Sequence, residues 1–296
     1  PTADAIDPAQ TDDDFPQELF FMSQYTGNGT ARTITTANQP DLMFLRHYTT
    51  GQDWYTFDST RVITDNKVII TNTTAAESVL PQGNVTSVGA TSVGINSSSW
   101  LNSGGSYYQM WMWRANGGSL TTNNVGTQTS YTQTDPSGGF SITKYVGTGS
   151  AMTIGHGLSV EPKLTIIKDL DSAVDWGVYT KAIDGSMDYF LFNTDAAKGD
   201  SGLTGPNASI WNFNSASGYS NTNGRNYIMY NFANIDGYCK VGTYVGNADA
   251  DGTFVYTGFK PAYILNKPIV AGNWRQQDIA RSLYNVSQSS LSNNNN

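Results

Sequence analysis

The tetrapeptide Gly-Asp-Ser-Gly at 199–202 matches the surroundings of the catalytic serine in chymotrypsin-like proteases. Such enzymes also need a histidine and an aspartate that their own fold brings to the serine. The chain has two histidines, His47 and His156, and neither has the sequence context of a protease. His156 is flanked by glycines, which favours a turn histidine bonded to the backbone. The run 199–202 therefore predicts a polar loop and not a nucleophile.

Carboxylates are the second group that could do chemistry. Asp169 and Asp171 precede Trp176, while Asp249 and Asp251 lie in the turn NADADG. Clustered aspartates can bind Ca²⁺ together with backbone carbonyls, although Asp also favours turns for local reasons. A glycosidase needs two carboxylates that face each other across a groove, and the three Glu form no recognisable pair. We therefore expect no catalytic residue and no cofactor, and keep the four aspartates as calcium candidates.

Tryptophan rings could bind a sugar, because an aromatic face suits the apolar face of a pyranose. Trp54, Trp176 and Trp274 recur at the same position of an internal repeat, so packing explains them better. Trp100 and Trp211 lie outside that position and close to predicted loops. These two are the candidates for ligand binding, and the pattern does not name the ligand.

The elements that position these residues come from a repeat with copies at 19–54, 139–176 and 238–274. Each copy has an apolar strand that ends in Tyr, a Gly-containing turn, a Pro, a second apolar strand and a Trp. The Tyr-to-Pro spacings are 15, 17 and 17 residues, and the Pro-to-Trp spacings are 14, 14 and 13. Constant spacing of three anchors indicates a repeated structural unit. The anchors are Tyr25, Pro40 and Trp54; Tyr145, Pro162 and Trp176; and Tyr244, Pro261 and Trp274.

The first two copies extend beyond these anchors. VIITNTTAA at 68–76 matches YFLFNTDAA at 189–197, and YQMWMWRAN ending at Asn116 matches YIMYNFAN ending at Asn234. A full unit is thus about 100 to 120 residues long, the size of one β-sandwich. The third copy carries only the first half of the unit. A half sandwich cannot bury its inner face alone, so we expect it to pack on the second unit.

Two stretches add to the fold prediction. Residues 107–113 are apolar at both parities, which predicts a central strand covered on both faces. Residues 274–284 alone have helical spacing, enough for one short helix or turn. Many Thr, Tyr and Trp residues together with frequent turn residues favour short strands. We predict an all-β chain of tandem antiparallel β-sandwiches, jelly-roll or concanavalin-like, with few or no helices.

The predicted organisation has four parts. Residues 1–18 form an extended acidic arm. Residues 19–137 form the first sandwich, with the Thr-, Gln- and Ser-rich span 119–137 as its linker. Residues 138–286 form a second sandwich of about ten strands that includes the half-repeat. Residues 287–296 are a low-complexity tail.

Charge and composition exclude several classes of function. The net charge is −8 and the pI about 4.6, without a Lys/Arg run, which argues against nucleic-acid binding and anionic membranes. No apolar run approaches the ~18 residues of a membrane-spanning helix. Cys239 is the single cysteine, so no disulfide framework is expected within the chain. Pro1 is typical of initiator Met removal, which predicts synthesis in a cytoplasm.

The segment 140–285 resembles a domain that recurs in virion proteins of tailed bacteriophages, many of them marine. The resemblance lies in GFSITKYVGTGSAMTIGHGLSVEPKLTIIKD, DWGVYTK, YFLFNTDAA, NYIMYNFANIDGYCKVGTYVGN and FVYTGFKPAYILNK. Residues 19–116 match only through the internal repeat, and NWRQQDIARSLYN matches the closing segment loosely. The resemblance implies a lectin-type, concanavalin-like sandwich, often described as tail-fibre-like. It implies a place in the virion and transfers no catalytic residue.

These observations favour a non-enzymatic virion structural protein, either a fibre, a knob or a capsid-decorating subunit, made in the host cytoplasm. The expected partners are other capsid or tail proteins, further copies of the chain and host surface glycans, without nucleic acid or membrane insertion. Two alternatives stay open: a virion enzyme that degrades polysaccharide, and a free carbohydrate-binding module.

Overall fold

A computed structural model describes residues 16–47, 53–80, 84–135 and 137–280, and strands dominate that part of the chain. Its single α-helix, α1 (Pro16–Leu19), is one turn long, and two 3₁₀ turns span Ser59–Arg61 and Ile63–Asp65. All strand ladders are antiparallel, so the prediction of an all-β antiparallel sandwich fold is confirmed. Among the described residues, no helix is long and apolar enough to cross a membrane.

The first sandwich contains nine strands in two sheets. The larger sheet has the order β1-β9-β3-β4-β5-β6 and the smaller one the order β2-β8-β7. The strands are β1 (Phe20–Thr26), β2 (Arg32–Thr35), β3 (Leu42–His47), β4 (Trp54–Asp58), β5 (Lys67–Ile70), β6 (Ser78–Val79), β7 (Val85–Gly89), β8 (Ser92–Ile95) and β9 (Tyr107–Trp113).

The second sandwich repeats this plan. Its larger sheet has the order β10-β11-β12-β20-β14-β15-β16-β17, and its smaller sheet the order β13-β19-β18. The strands are β10 (Thr121–Asn123), β11 (Ser130–Thr134), β12 (Phe140–Val146), β13 (Met152–Gly155), β14 (Leu164–Asp169), β15 (Gly177–Thr180), β16 (Asp188–Leu191), β17 (Gly199–Asp200), β18 (Gly205–Pro206), β19 (Ile210–Phe213) and β20 (Asn226–Phe232).

The sequence repeat corresponds to equal positions in the two sandwiches. β1 and β12 each pair with the late strand of their unit, β9 and β20, and that strand pairs on its other edge with β3 or β14. The order of the remaining strands agrees as well, since β4-β5 corresponds to β15-β16 and β2-β8 to β13-β19. In each full unit, the late strand (β9 or β20) therefore lies between the two strands of the motif and pairs with both.

The two large sheets pack face to face, which makes the molecule four layers thick. Alternate side chains of each strand point to opposite faces of a sheet, so each large sheet contributes to two cores. Met110 and Met112 of β9 lie in the core of the first sandwich, while Trp111 and Trp113 lie in the central core between the large sheets. This confirms the prediction that 107–113 is a central strand covered on both faces.

The linker assignment for 119–137 does not hold. β10 and β11 belong to the eight-stranded sheet, and β11 pairs with β12 along its full length. The segment looked like a linker because it is polar, but two of its buried polar side chains are hydrogen-bonded to residues far away in sequence. Ser130 Oγ donates to the Gly155 carbonyl at 2.6 Å, and Gln133 Nε2 donates to Thr60 Oγ1 at 2.7 Å.

The third copy forms a hairpin of its own and not strands of the second sandwich. β21 (Tyr263–Asn266) and β22 (Arg275–Asp278) make a separate two-stranded sheet. Tyr263 contacts the ring of Trp113 on the first large sheet, and Trp274 contacts Phe192 on the second, with centroid distances of 5.7 and 5.1 Å. The hairpin thus packs on both units, whereas the sequence suggested the second unit alone.

The helical spacing at 274–284 also gives a different structure. Its described part contains β22, whose residues pair with β21 in register from Arg275 to Asp278. The repeat explains this result, because β22 occupies the position of β4 and β15 in the other copies. The predicted arm 1–18 lies outside the described residues up to position 15, and the predicted tail 287–296 lies wholly outside them.

Candidate interaction surface in the third copy

The candidate nucleophile is a bonded loop residue. Ser201 Oγ donates to the Met187 carbonyl at 2.6 Å, within the loop that follows β17. His156 is buried, and its Nδ1 accepts the backbone N–H of Leu158 at 3.2 Å. Its Nε2 therefore carries the proton and donates to the Asn207 carbonyl at 3.0 Å. Burial lowers the pKa of His156, which keeps the ring neutral in this structural role.

Trp211, one of the two ligand candidates, has no accessible ring. It is 0% exposed in β19, inside the second sandwich, and its Nε1 donates to Thr165 Oγ1 at 3.1 Å. Its ring contacts Tyr179 edge to face at 5.5 Å. Trp100 is partly exposed beside the core of the first sandwich, with its ring 5.9 Å from that of Tyr55. Trp100 alone of this pair keeps a surface that a ligand could reach.

The first pair of calcium candidates is used by local protein contacts. Asp169 Oδ1 accepts the backbone N–H of Asp171 and of Ser172, and its Oδ2 pairs with Arg225 at 3.0 Å. Asp171 Oδ2 accepts the backbone N–H of Asn226 at 2.7 Å. Each carboxylate therefore fixes the turn at the end of β14 against the start of β20.

The second pair lies in an exposed turn of the third copy. Asp249 Oδ1 accepts the backbone N–H of Asp251 at 2.9 Å, which is a local turn contact. Within the described ranges, no three His, Cys, Asp or Glu side chains lie close enough together to hold a metal ion. The structure therefore does not bring the four aspartates together.

The tyrosine anchors show what the repeat positions do in a complete unit. Tyr25 donates to the Leu101 carbonyl at 2.6 Å, and its ring stacks on Tyr108 of β9 at 5.0 Å. Tyr145 donates to the Ser220 carbonyl at 2.7 Å, and its ring stacks on Tyr227 of β20 at 5.2 Å. Both anchors are buried, so these anchor positions serve packing. Their partners come from the second half of the unit.

The remaining anchors also pack, to different extents. Pro40 and Pro162 are buried at the starts of β3 and β14, and Pro261 is half-buried before β21. The tryptophans of all three copies are at most 3% exposed and share the central core between the large sheets. Three copies thus contribute one tryptophan each to a single core.

Tyr244, the third tyrosine anchor, lies in a different environment. It is 57% exposed, although its counterparts are at most 7% exposed. Among the described residues of the third copy, no late strand covers it in the way that β9 and β20 cover its counterparts. The described segment 239–262 accordingly contains no strand, while the same positions form β1 and β2 or β12 and β13 elsewhere.

Around Tyr244 lies a group of exposed apolar side chains that we call the open face. Its members are Tyr244 (57% exposed), Val245 (85%), Phe254 (87%), Val255 (46%) and Tyr256 (78%). Isolated exposed apolar residues are ordinary on protein surfaces, but contiguous groups mark interaction sites. All five come from the two repeat positions that are strands in the complete copies.

The open face is held in place by a few specific contacts. Thr253 Oγ1 donates to the Val245 carbonyl at 2.6 Å and so joins its two arms. The Asn234 side chain accepts the Val241 N–H at 2.7 Å and ties the first arm to the end of β20. The acidic turn with Asp249 and Asp251 connects the arms. The result is an apolar surface with a negatively charged rim.

Two further ionisable groups lie where the second copy meets the third. Asp135 is buried before β12, and burial raises its pKa from 3.8 to about 6 even though Ser137 and Gly139 donate to its Oδ1. Cys239 packs beside the central core, and burial raises the pKa of its thiol to about 12. A thiol with so high a pKa stays protonated near neutral pH and is a poor nucleophile.

One sequence signal could have located the open face. The anchor Tyr244 sits in a copy that shows no sequence match to YQMWMWRAN or YIMYNFAN, which form the late strands of the other two copies. The pattern could not show that the third copy lies outside the second large sheet. The segments that match β12 and β13 therefore have no sheet edge to pair with among the described residues.

Comparison with known proteins gives one match. A family model described as a domain of unknown function, DUF7483, matches residues 15–296. No curated protein and no solved structure matches the chain.

Proposed function

Because the chain belongs to the DUF7483 family, whose function is unknown, we propose from its residues and structure that it is a non-enzymatic structural protein of a bacteriophage particle. In this proposal it is a fibre, knob or capsid-decorating subunit that joins its neighbours through the open face. It is made in the host cytoplasm and functions in the virion.

The open face is the observation that carries the proposal. Five apolar side chains stand in solvent at positions that are strands in two complete copies of the same unit. An exposed apolar segment with unpaired backbone groups pairs readily with another chain, which is how strand addition assembles proteins. A subunit of a particle binds its neighbours through such surfaces.

The environment of the catalytic candidates supports a role without catalysis. Ser201 and His156 are each bonded to backbone groups of different loops, and Asp169 and Asp171 fix one turn. These contacts give each of the four residues a role in holding the fold together. The assignment to a phage particle is supported by the resemblance of 140–285 to virion domains.

Incorporation into particles tests this proposal. Mass spectrometry of purified virions should find the protein, and its absence would refute the assignment. The double variant Tyr244→Ser, Phe254→Ser should fold normally and enter particles at least about tenfold less, because the open face loses its apolar contacts. Tyr131→Ser is the matched control, since Tyr131 is 45% exposed on β11, outside the third copy.

Attachment to host glycans is a second role within the same proposal, and Trp100 supports it through its partly exposed ring. The wild-type protein should bind host surface glycans on an array, and Trp100→Ala should weaken that binding, whereas Trp211→Phe should not. Equal binding by wild type and Trp100→Ala would show that Trp100 does not contribute to glycan binding. Release of new reducing ends from host polysaccharide would favour the alternative of a virion enzyme.

A further inference from the structure

A polar cleft lies at the margin of the central core, between the two large sheets. Its volume is about 260 Å³, and both sandwiches contribute to its walls. The first sandwich supplies the two 3₁₀ turns and the region of β5 and β6, and the second supplies β12, the end of β14 and the start of β20. Pockets for drug-sized ligands measure roughly 300–1,000 Å³, so this cleft suits a ligand of about one sugar ring.

Two lysines enter the cleft from the two facing sheets. Lys67 of β5 is two residues from Ile69, and Lys144 of β12 is two residues from Ile142. Both isoleucines belong to the central core. Since residues two apart on a strand lie on the same face, both lysines point into the space between the sheets. They are half-buried there and line the cleft.

The charges of these two lysines do not hold the fold together. In the part of the chain that the structure describes, neither lysine forms a salt bridge. Asp188 takes the position of Lys67 in the second sandwich. It pairs there with Lys198 at 2.6 Å, and Lys198 takes the position of Glu77. Glu77 itself pairs with Arg61 at 3.1 Å, which leaves the ammonium group of Lys67 to a ligand.

Two carboxylates line the same cleft, and each uses one oxygen for a protein contact. Glu77 Oε1 pairs with Arg61, and Asp171 Oδ2 accepts the backbone and side-chain N–H groups of Asn226. Among the described residues, no hydrogen bond uses Glu77 Oε2 or Asp171 Oδ1. An ionised carboxylate only accepts hydrogen bonds, so these oxygens suit hydroxyl groups and repel a second anion. Cations and acceptors together therefore fit a ligand with one carboxylate and several hydroxyls.

The cleft also has an apolar wall. Val62 lies between the two 3₁₀ turns with φ 60° and ψ 91°, and it is 50% exposed. A β-branched residue at positive φ is an outlier, and such strained residues cluster at ligand sites. Leu170 of the central core lines the cleft as well. These two side chains offer an apolar surface to the carbon skeleton of a sugar ring.

We propose that this cleft is a binding site for an acidic sugar of the uronic-acid class. Lys67 and Lys144 bind its carboxylate, Glu77 and Asp171 accept its hydroxyls, and the ring packs on the apolar wall. The inference deepens the glycan-attachment role of the proposed function and rests on that role for the origin of the sugar.

Chemical-shift titration of the full ¹⁵N-labelled chain with sodium glucuronate tests the proposal. Amide signals of the cleft should shift, and added salt should weaken the binding because the main contacts are ionic. Lys67→Met and Lys144→Met should each raise the dissociation constant about tenfold, since each removes a charge-assisted contact and keeps an aliphatic stem. Lys260→Met is the matched control, because Lys260 is exposed in the third copy and does not line the cleft.

Three further probes each carry part of the ligand's chemistry. Glucose has the hydroxyls without the carboxylate, acetate has the carboxylate alone, and inorganic phosphate is a compact anion. Each should bind at least about tenfold more weakly than glucuronate, because each makes fewer of the contacts. Binding of any one of them as tight as that of glucuronate would overturn the proposal, and so would equal dissociation constants for wild type and the two lysine variants.

A second variant keeps the test valid if a lysine variant loses the spectrum of a folded chain. Val62→Asp suits the exposed position, because Asp tolerates positive φ better than Val does. It places a negative charge in the cleft and should abolish glucuronate binding. Retained binding would reject the site.

Failure of the cleft and failure of the virion role give different results. A protein that is present in purified virions but does not bind glucuronate rejects the cleft alone. A protein that binds glucuronate through the two lysines but is absent from virions rejects the particle role and leaves the acidic-sugar site.

Discussion

The second and third copies contain the same anchors at nearly the same spacing, yet the equivalent side chains lie in opposite environments. Tyr145 is 1% exposed and Tyr244 is 57% exposed. β12, which carries Tyr145, pairs with β20 along seven residues, whereas the described residues around Tyr244 form no strand. The difference lies in the late strand of the unit, because β20 pairs with the strand of Tyr145 and no described strand does so for the segment of Tyr244.

This comparison shows that the anchor residues do not produce a strand by themselves. Sheet stability comes from cross-strand pairs and burial, and an isolated hairpin is at best marginal in water. β21 and β22 form because they pack on the large sheets of the other copies through Tyr263 and Trp274. The arms of the open face have no such support among the residues that the structure describes.

Truncation of the equivalent tyrosines should give the largest difference between the two copies. Tyr145→Ala removes a fully buried ring from the second sandwich and should lower the free energy of unfolding by about 4 kcal/mol. Tyr244→Ala should change it by less than about 0.5 kcal/mol, because the exposed ring contributes little to folding. Urea unfolding followed by tryptophan fluorescence measures both. Similar losses would mean that the third copy is a closed sandwich in solution.

The contact between the first two copies includes a buried ion pair. Arg61 Nε lies 2.5 Å from Asp58 Oδ2, and the Tyr230 hydroxyl of the second copy donates to the same oxygen at 2.7 Å. Arg61→Met should destabilise the protein by about 3 kcal/mol, because it leaves the Asp58 charge buried without its cation. Arg114→Met is the control in urea unfolding, since its 3.9 Å pair with Glu18 is partly exposed and should contribute little. Equal effects would contradict a structural role for the buried pair.

The contact between the second and third copies should make stability depend on pH. The pKa of Asp135 is raised from 3.8 to about 6, so the folded protein binds more protons than the unfolded chain between these values. Stability should therefore fall as pH rises from about 4 to 6, by roughly 1 kcal/mol per unit, and then level off. Asp135→Asn should remove this decline in thermal or urea unfolding across the pH range. If the free energy of unfolding of the wild type, after subtraction of that of the variant, rises with pH over the same interval, the prediction is wrong.

Much of the fold could be predicted because the strands repeat. Apolar residues at both parities of 107–113 predicted a strand that is buried on both faces. The anchors predicted the positions of β3, β14 and β21. The span 119–137 was mistaken for a linker because Ser130, Thr132 and Gln133 are polar, although they are buried in a strand. Local composition cannot show that a distant loop supplies the hydrogen bonds that make such burial possible.

The candidate site was harder to predict than the fold. The position of Trp211 outside the repeat anchors and near predicted loops made it a ligand candidate, but in Ile-Trp-Asn-Phe at 210–213 it shares its parity with Phe213, and both point into the sandwich. That alternation was a usable signal. For the open face, the incomplete third copy was the one sequence signal, but its exposure depends on which sheet the third copy joins, and this is decided by contacts between residues far apart in sequence.

The smallest expected effect is also the most specific test of the comparison. Tyr145→Phe removes only the hydroxyl that donates to the Ser220 carbonyl, and should cost about 1 kcal/mol because that buried carbonyl loses its donor. Tyr25→Phe should cost a similar amount through the Leu101 carbonyl, and Tyr244→Phe should cost nothing measurable in urea unfolding. Added purified virion partner should reverse the last result, since a strand that completes the third copy would give Tyr244 an acceptor like those of Tyr25 and Tyr145. A Tyr244→Phe variant that binds this partner as tightly as wild type would show that the partner contacts the open face without completing the sandwich.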